Sequence, residues 1–198
     1  RYGMSAKQTL EIAQVLYEKH KLITYPRTDA RFLTPDQAPT LPGVLQGLAG
    51  LPVYRPFAEA LLAAGPINPG KRVIDASEVG DHHAILPTGR TPDSGRLSPA
   101  EKRIFDLVAR RLMAALSPPA LFDVTTLVVD VPTDAPLPDG VDSPLSFRVR
   151  GRICTQAGWR DVDPPGGKKK QLELPVVQQG DDAVVDRTQI DEGQTRPP

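Results

Sequence analysis

The stretch SPAEKRIFDLVARRLMAALSPPALFDVTTLVVDV, Ser98 to Val131, contains a helix, its stop and the strand that follows. Ser98 and Glu101 have the spacing of a capping box, in which a hydroxyl and a carboxylate satisfy two backbone donors left open at a helix start. Pro99 suits the first helical turn, where its missing N–H costs nothing. Ile104, Val108, Leu112 and Ala115 recur at steps of three and four, an apolar stripe for one helix face. The spacing therefore predicts a helix over 97–116. The SPP beginning at Ser117 ends it, because proline removes a donor and clashes with the preceding turn. FDVTTLVVDV then switches to β-branched and aromatic residues. This change of character sets the fold class as α+β, with a mainly helical domain over 1–118 and a β-rich domain over 119–198.

Working upstream, Ser5 and Gln8 form a second capping box, and the helix it opens is expected from Ser5 to about Lys19. LITY follows as a short β-prone run. A capped helix passing at once into a strand is also how a winged helix-turn-helix unit continues, so the first domain is expected to be winged-helix-like. Between Thr34 and Gly70, Pro, Gly, Leu and Ala dominate, and one helix is expected near Pro56–Ala64, closed by Gly65, with loops around it. Downstream, LSFRVRGRI and DDAVVDRTQI read as two further strands of an antiparallel sheet. PPGGKKK, from Pro164, reads as an exposed loop.

Composition narrows the class. Hydrophobic residues make up 39% and charged residues 24% of the 198 positions, as in a water-soluble globular protein. Pro occurs 22 times, about twice the usual ~5%, which implies many loops. With Cys154 as the only cysteine, no internal disulfide can form, and a cytoplasmic location is expected. No run approaches the length of a membrane span. The net charge of zero conceals a split: residues 1–118 carry 15 Lys+Arg against 11 Asp+Glu, and residues 119–198 carry 9 against 13. The basic half is the expected working half. The chain opens at Arg1 without a Met and enters a helix within five residues, so it reads as a piece of a longer protein.

Some motifs fail on inspection. GPINPGKR, Gly65 to Arg72, approaches a phosphate-binding loop, yet no strand precedes it, two prolines remove donors, and Arg72 stands where a hydroxyl would hold Mg²⁺. Asp161 and Asp163 have no third carboxylate at useful spacing, and a loop role is expected for them. His82 and His83 have no further Cys or His at zinc spacing, so no metal site is expected. Adjacent side chains point in opposite directions in extended chain, so one histidine at most faces a site.

Other motifs carry chemistry. In KLITYPRTDAR, Lys21 to Arg31, a strand would set Tyr25 and Arg27 on one face with Pro26 turned away. A free phenol titrates near ~10 and is a poor nucleophile at neutral pH. A fixed cation favours the phenolate and also binds a phosphate that the phenolate would attack. Tyr25 with Arg27 is thus a kit for phosphoryl transfer to tyrosine. Arg148, Arg150 and Arg152 alternate along LSFRVRGRI, a row of guanidinium groups at ~6.6 Å steps that suits a phosphate backbone. The bland alternatives are a buried tyrosine beside a surface arginine, and a solvated sheet face.

Taken together, SAKQTLEIAQVLYEKHKLITYPRTDARFL, DHHAILPT, SPAEKRIFDLVARRLM, GW and LPVV…GD resemble, in the same order, the type IA DNA topoisomerases, most closely the bacterial topoisomerase III group. The resemblance implies that Tyr25 is the nucleophile that forms a 5′-phosphotyrosine, that Arg27 positions the scissile phosphate, and that His82 is the active-site histidine. It implies single-stranded DNA as partner. Lys7, Arg31, Arg148, Arg150 and Arg152 are the expected DNA-binding cations. It also implies a TOPRIM domain holding Mg²⁺ and a strand-binding domain elsewhere in the parent, since nothing in this chain resembles the first and only TQIDEGQTRPP reads as a stub of the second. No cofactor is expected in the chain itself, and on its own it is expected to be inactive. The tyrosine-bearing domain would be 1–118, and 119–198 part of the β arch. A tyrosine recombinase fits poorly, because its Arg and His precede its tyrosine. The remaining rival is a non-catalytic winged-helix-like DNA-binding module.

Overall fold

The computed structural model describes residues 2–92, 95–133, 139, 143–166, 173–184, 186–187, 189 and 192–195. It is a mixed helix-and-strand structure with a two-stranded antiparallel sheet. The helices are α1 (Ala6–Glu18), α2 (Leu41–Ala49), α3 (Arg55–Ala63), α4 (Pro99–Leu116) and a single turn, α5 (Trp159–Val162). The strands are β1 (Leu121–Val131) and β2 (Leu145–Gln156). Two compact units result: Arg1–Leu121 with Cys154–Lys168, and Phe122–Ile153 with Lys169–Pro198.

Both capping boxes form. Gln8 N–H donates to Ser5 Oγ at 3.2 Å and Ser5 N–H donates to Gln8 Oε1 at 3.0 Å. At α4 the Ser98 N–H reaches Glu101 Oε2 at 2.6 Å, and Glu101 N–H reaches Ser98 Oγ at 3.3 Å. His20 Nε2 lies 3.3 Å from Glu101 Oε1 and joins the end of α1 to the start of α4. Ser98→Ala is expected to cost about 1 kcal/mol of stability, measured by denaturant unfolding.

The hydrogen bond from the Ser98 backbone N–H holds the Glu101 carboxyl below its ordinary value of 4.5. A carboxyl depressed in the folded state stabilises fully above its unfolded pKa and loses that stabilisation as pH falls through its folded value. The stability difference between the wild type and Glu101→Gln is therefore expected to be largest near neutrality and to shrink below about pH 4. Thermal melts of the two proteins across that range check it.

The first unit is built around one apolar core. Ala13 and Leu16 of α1 lie inside with Ile104, Phe105, Ala109, Leu112 and Met113 of α4. Leu41, Val44, Leu45 and Leu48 of α2 pack beside Ala58 and Leu61 of α3. The expected helix at Pro56–Ala64 is present one residue earlier, with Gly65 at φ +109 just beyond it. Helix α2 was not expected. Its apolar residues fall at i, i+3, i+4 and i+7, the pattern of a one-sided helix. Pro42, Gly43 and Gly47 mask that pattern as loop chemistry.

Gly47 has a tertiary reason. A Cβ there would land on the Gly89 carbonyl oxygen, so α2 approaches the 89 turn closer than any side chain allows. The Asp161–Asp163 stretch is not a simple loop, because Asp161 lies in α5. That turn is tied to α4, where Trp159 N–H donates to the Pro118 carbonyl at 3.0 Å and Arg110 Nη1 to the Val162 carbonyl at 2.8 Å. Gly158, at φ +54, admits the approach, because a Cβ there would sit 2.6 Å from the Pro118 carbonyl oxygen.

In the second unit the expected runs after residue 120 give β1 and β2. The third, DDAVVDRTQI, has no strand at its described residues, and 185, 188 and 190 lie outside them. Both faces of the β1–β2 ribbon carry exposed apolar residues, including Val124, Val128, Phe147 and Ile153.

Candidate active site

Helix α1 ends at Glu18, and the chain reverses through Lys21, whose φ is +55. A non-glycine residue in this left-handed region is uncommon and marks a sharp exit. The exit delivers Leu22 and Ile23 to the core, 3% and 1% exposed. From there the chain is zipped to a distant segment. Thr24 N–H donates to the Leu86 carbonyl at 2.8 Å, and Leu86 N–H donates back to Thr24 Oγ1 at 2.9 Å. Thr88 N–H donates to the Leu22 carbonyl at 3.0 Å, and its hydroxyl to the Lys21 carbonyl at 2.7 Å. Ala84 N–H donates to the Phe32 carbonyl at 2.9 Å. Regular strand pairing is reduced to isolated bridges, Ile23 to Pro87 and Leu33 to Ile74. LITY is thus a single bridged position, held by backbone hydrogen bonds and threonine hydroxyls together.

The zip sets the positions of the expected site residues. Pro26 is buried, while Tyr25 is half-buried and Arg27 exposed on either side of it. The Tyr25 ring centroid lies 4.5 Å from that of His82, with the planes tilted by 49°. Tyr17, in the last turn of α1, meets Tyr25 edge-on at 5.5 Å. Lys21 Nζ stands 5.5 Å over the Tyr17 ring. Thr28 Oγ1 donates to the His82 carbonyl at 3.0 Å, fixing a residue 54 positions away. The paired histidines divide as their alternation requires. His82 is exposed beside Tyr25, whereas His83 is half-buried with Nδ1 2.7 Å from the Ala84 carbonyl. Arg27 makes no ion pair or hydrogen bond among the described residues, so its guanidinium is open to an incoming anion.

The other expected cations are spread out. Lys7 is exposed in the first turn of α1, and Arg31 is exposed where the tyrosine segment re-enters the core. Arg148, Arg150 and Arg152 are exposed along β2, and the Arg152 guanidinium lies 3.4 Å from the centroid of the Phe122 ring on β1. Residues that spacing did not single out are Tyr17, Thr24, Thr28 and Thr88. Tyr17 lies inside the expected first helix, and the threonines act through pairings that span more than fifty positions. Gly70–Arg72 is a single 3₁₀ turn, and Arg72 Nη2 donates to the Ala115 carbonyl at 2.9 Å and the Ser117 carbonyl at 3.3 Å, closing the end of α4. No described helix is long and apolar enough to cross a membrane.

The model of a protein family described as DNA topoisomerase matches residues 1–198. The chain belongs to the DNA topoisomerase family. Among curated relatives of this topoisomerase chain, DNA topoisomerase 3 of Bacillus cereus is 38% identical over 206 residues. DNA topoisomerase 3 of Bacillus licheniformis and of Bacillus subtilis are each 34% identical, over 203 and 204 residues. Each match covers 100% of this chain and 26% of the relative. The resemblance to type IA topoisomerases of the topoisomerase III group, carried by the YPRTD and DHHAI blocks, therefore holds along the whole chain. The topoisomerase chain spans about a quarter of the length of the relatives it matches.

Proposed function

We propose that this chain carries the nucleophile of a type IA topoisomerase and that Tyr25 is that nucleophile. The observation that supports it best is the 4.5 Å approach of the Tyr25 and His82 rings, brought together by a dedicated hydrogen-bonded zip. The Tyr25 oxygen attacks a backbone phosphorus of a single DNA strand. The Oη–P bond forms and the P–O3′ bond breaks, so the phenol proton is released and the departing 3′ oxygen gains one. A 5′-phosphotyrosine and a 3′-hydroxyl remain. Arg27 binds the non-bridging oxygens, and its charge favours the phenolate. His82 contacts the phosphate from the exposed side of the ring pair. Reversal by the 3′-hydroxyl reseals the strand. The ester conserves the bond energy, so the cycle needs no nucleotide hydrolysis.

In this reading the helical unit is the winged-helix-like tyrosine domain and the β ribbon belongs to the arch. The TOPRIM and strand-binding parts of the parent supply the rest, and the parent acts on DNA in the cytoplasm. Mg²⁺ belongs with the TOPRIM part. Among the described residues no three His, Cys, Asp or Glu side chains converge, and no step here is routed through a metal.

The test is the polarity of a trapped adduct. The full-length parent is mixed with single-stranded DNA labelled at one end and denatured with detergent. Retention of the 3′-labelled piece on protein, with release of the 5′-labelled piece, is the expected result. The opposite polarity would sink the proposal, as would an absence of adduct where DNA binding is measurable.

A further inference from the structure

Behind the zip lies a cleft of about 480 Å³, within the range of small-ligand sites. It is built on the same two segments as the candidate active site, through Arg31–Leu33 and Ala84–Leu86, and is completed by α4 and by Trp159 of α5. Its walls are apolar and aromatic, with Phe32, Leu112 and Trp159 among them. Among the described residues its charged lining is Arg31, Arg72 and Arg111, with no acidic residue. Arg72 is engaged with carbonyls at the end of α4. Arg31 and Arg111 are exposed and have no ion pair or hydrogen bond among the described residues. An aromatic wall beside unpaired guanidinium groups matches a ligand with a flat apolar face and a negative charge. One unit of a nucleic-acid strand has both, a base to stack and a phosphate to pair.

We infer that this cleft is a nucleotide subsite for the DNA strand handled at Tyr25, with a base against the Trp159 and Phe32 wall and a phosphate between Arg31 and Arg111. The inference rests on the proposed chemistry at Tyr25, because it takes its ligand from that reading. The placement fits. Phe32 is seven residues beyond Tyr25, at most about 25 Å along extended chain, so a strand at the tyrosine reaches the cleft within a few nucleotides. The arginines hold the strand next to the break without contacting the reacting phosphorus.

The chain has a single tryptophan, so Trp159 fluorescence reports on this cleft alone. A short oligothymidylate titrated into the 198-residue chain is expected to quench it, and an abasic oligomer of equal length to bind roughly tenfold more weakly, since each stacked base contributes measurably. Arg31→Gln and Arg111→Gln are each expected to weaken binding and to reduce the salt slope by about 0.7. Arg31 lies on an exposed loop and serves alone if the α4 variant does not fold. Tyr25→Phe is expected to leave the quenching unchanged. No quenching, quenching indifferent to both arginines, or tighter quenching by an acidic aromatic peptide would each overturn the inference. Trapping at Tyr25 without quenching removes the cleft and keeps the nucleophile. Quenching without trapping keeps the cleft and removes the nucleophile.

Discussion

In the full-length parent, Tyr25→Phe is expected to abolish covalent capture of a DNA strand while strand binding stays close to that of the wild type. The substitution removes one oxygen and keeps the ring. The edge contact with Tyr17 at 5.5 Å and the tilted contact with His82 at 4.5 Å need only the ring, so the local packing survives. Tyr25 is half-buried, and no hydrogen bond of its hydroxyl to a described residue is lost. Thermal unfolding of the variant is therefore expected to match the parent within a degree or two, because changes without a named packing or polar loss are usually within about 0.5 kcal/mol. Capture, in contrast, has no route without the oxygen. Detergent-resistant adduct should fall below detection, and strand breakage with it. Adduct that persists in the variant would point to another nucleophile, and Tyr17, in contact with Tyr25, would be the first to examine.

The largest expected effect on folding comes from Gly47→Ala. Added at position 47, a Cβ would land on the Gly89 carbonyl oxygen and lie 2.8 Å from the Gly89 Cα. The colliding atoms are backbone, so no side-chain rotation relieves them. Gly89 cannot retreat freely, because a Cβ built on it would already lie 3.2 Å from the Gly43 carbonyl oxygen and 3.3 Å from the Val44 Cα. Helix and turn must separate, at a cost expected near the upper end of overpacking, about 3 kcal/mol or a melting shift of roughly 10 °C. Gly43→Ala is the internal control. It lies in the same helix, its Cβ meets nothing within 4 Å, and it is expected to stabilise by about 0.5–1 kcal/mol through helix propensity. Opposite-signed results for the two glycines would show that the 47–89 approach, and not helix weakness, is what position 47 serves. Because Thr88 pins the Lys21 and Leu22 carbonyls, Gly47→Ala is also expected to loosen the tyrosine segment.

What the sequence disclosed follows the range of each interaction. The boxes at Ser5 and Ser98 are satisfied within three residues, so α1 and α4 were legible to within a residue or two. Helix α2 was hidden because Gly43 and Gly47 speak for a loop, while the reason for Gly47 lies forty-two positions away at the 89 turn. The arginine alternation on β2 has period two and was legible as a row. That Arg152 would lie over Phe122 was not, since it depends on register with β1. Tyr25 and Arg27 were selected by chemistry and His82 by resemblance. Their mutual placement was beyond spacing, because it is produced by single bridges and threonine hydroxyls that leave no periodic trace.

The zip also bears on fidelity. A strand break that must later be undone poses a problem of conserved coordinates: the severed end has to meet the environment in which it was made. Tyr25 and His82 belong to one hydrogen-bonded assembly, with Thr24, Thr28 and Thr88 as its rivets. In the proposed cycle, any gate motion carries the phosphotyrosine and its histidine neighbour as a single cargo. Resealing then reduces to redocking one intact surface against the free 3′ end, and the accuracy of repair is inherited from a geometry that the opening step never takes apart.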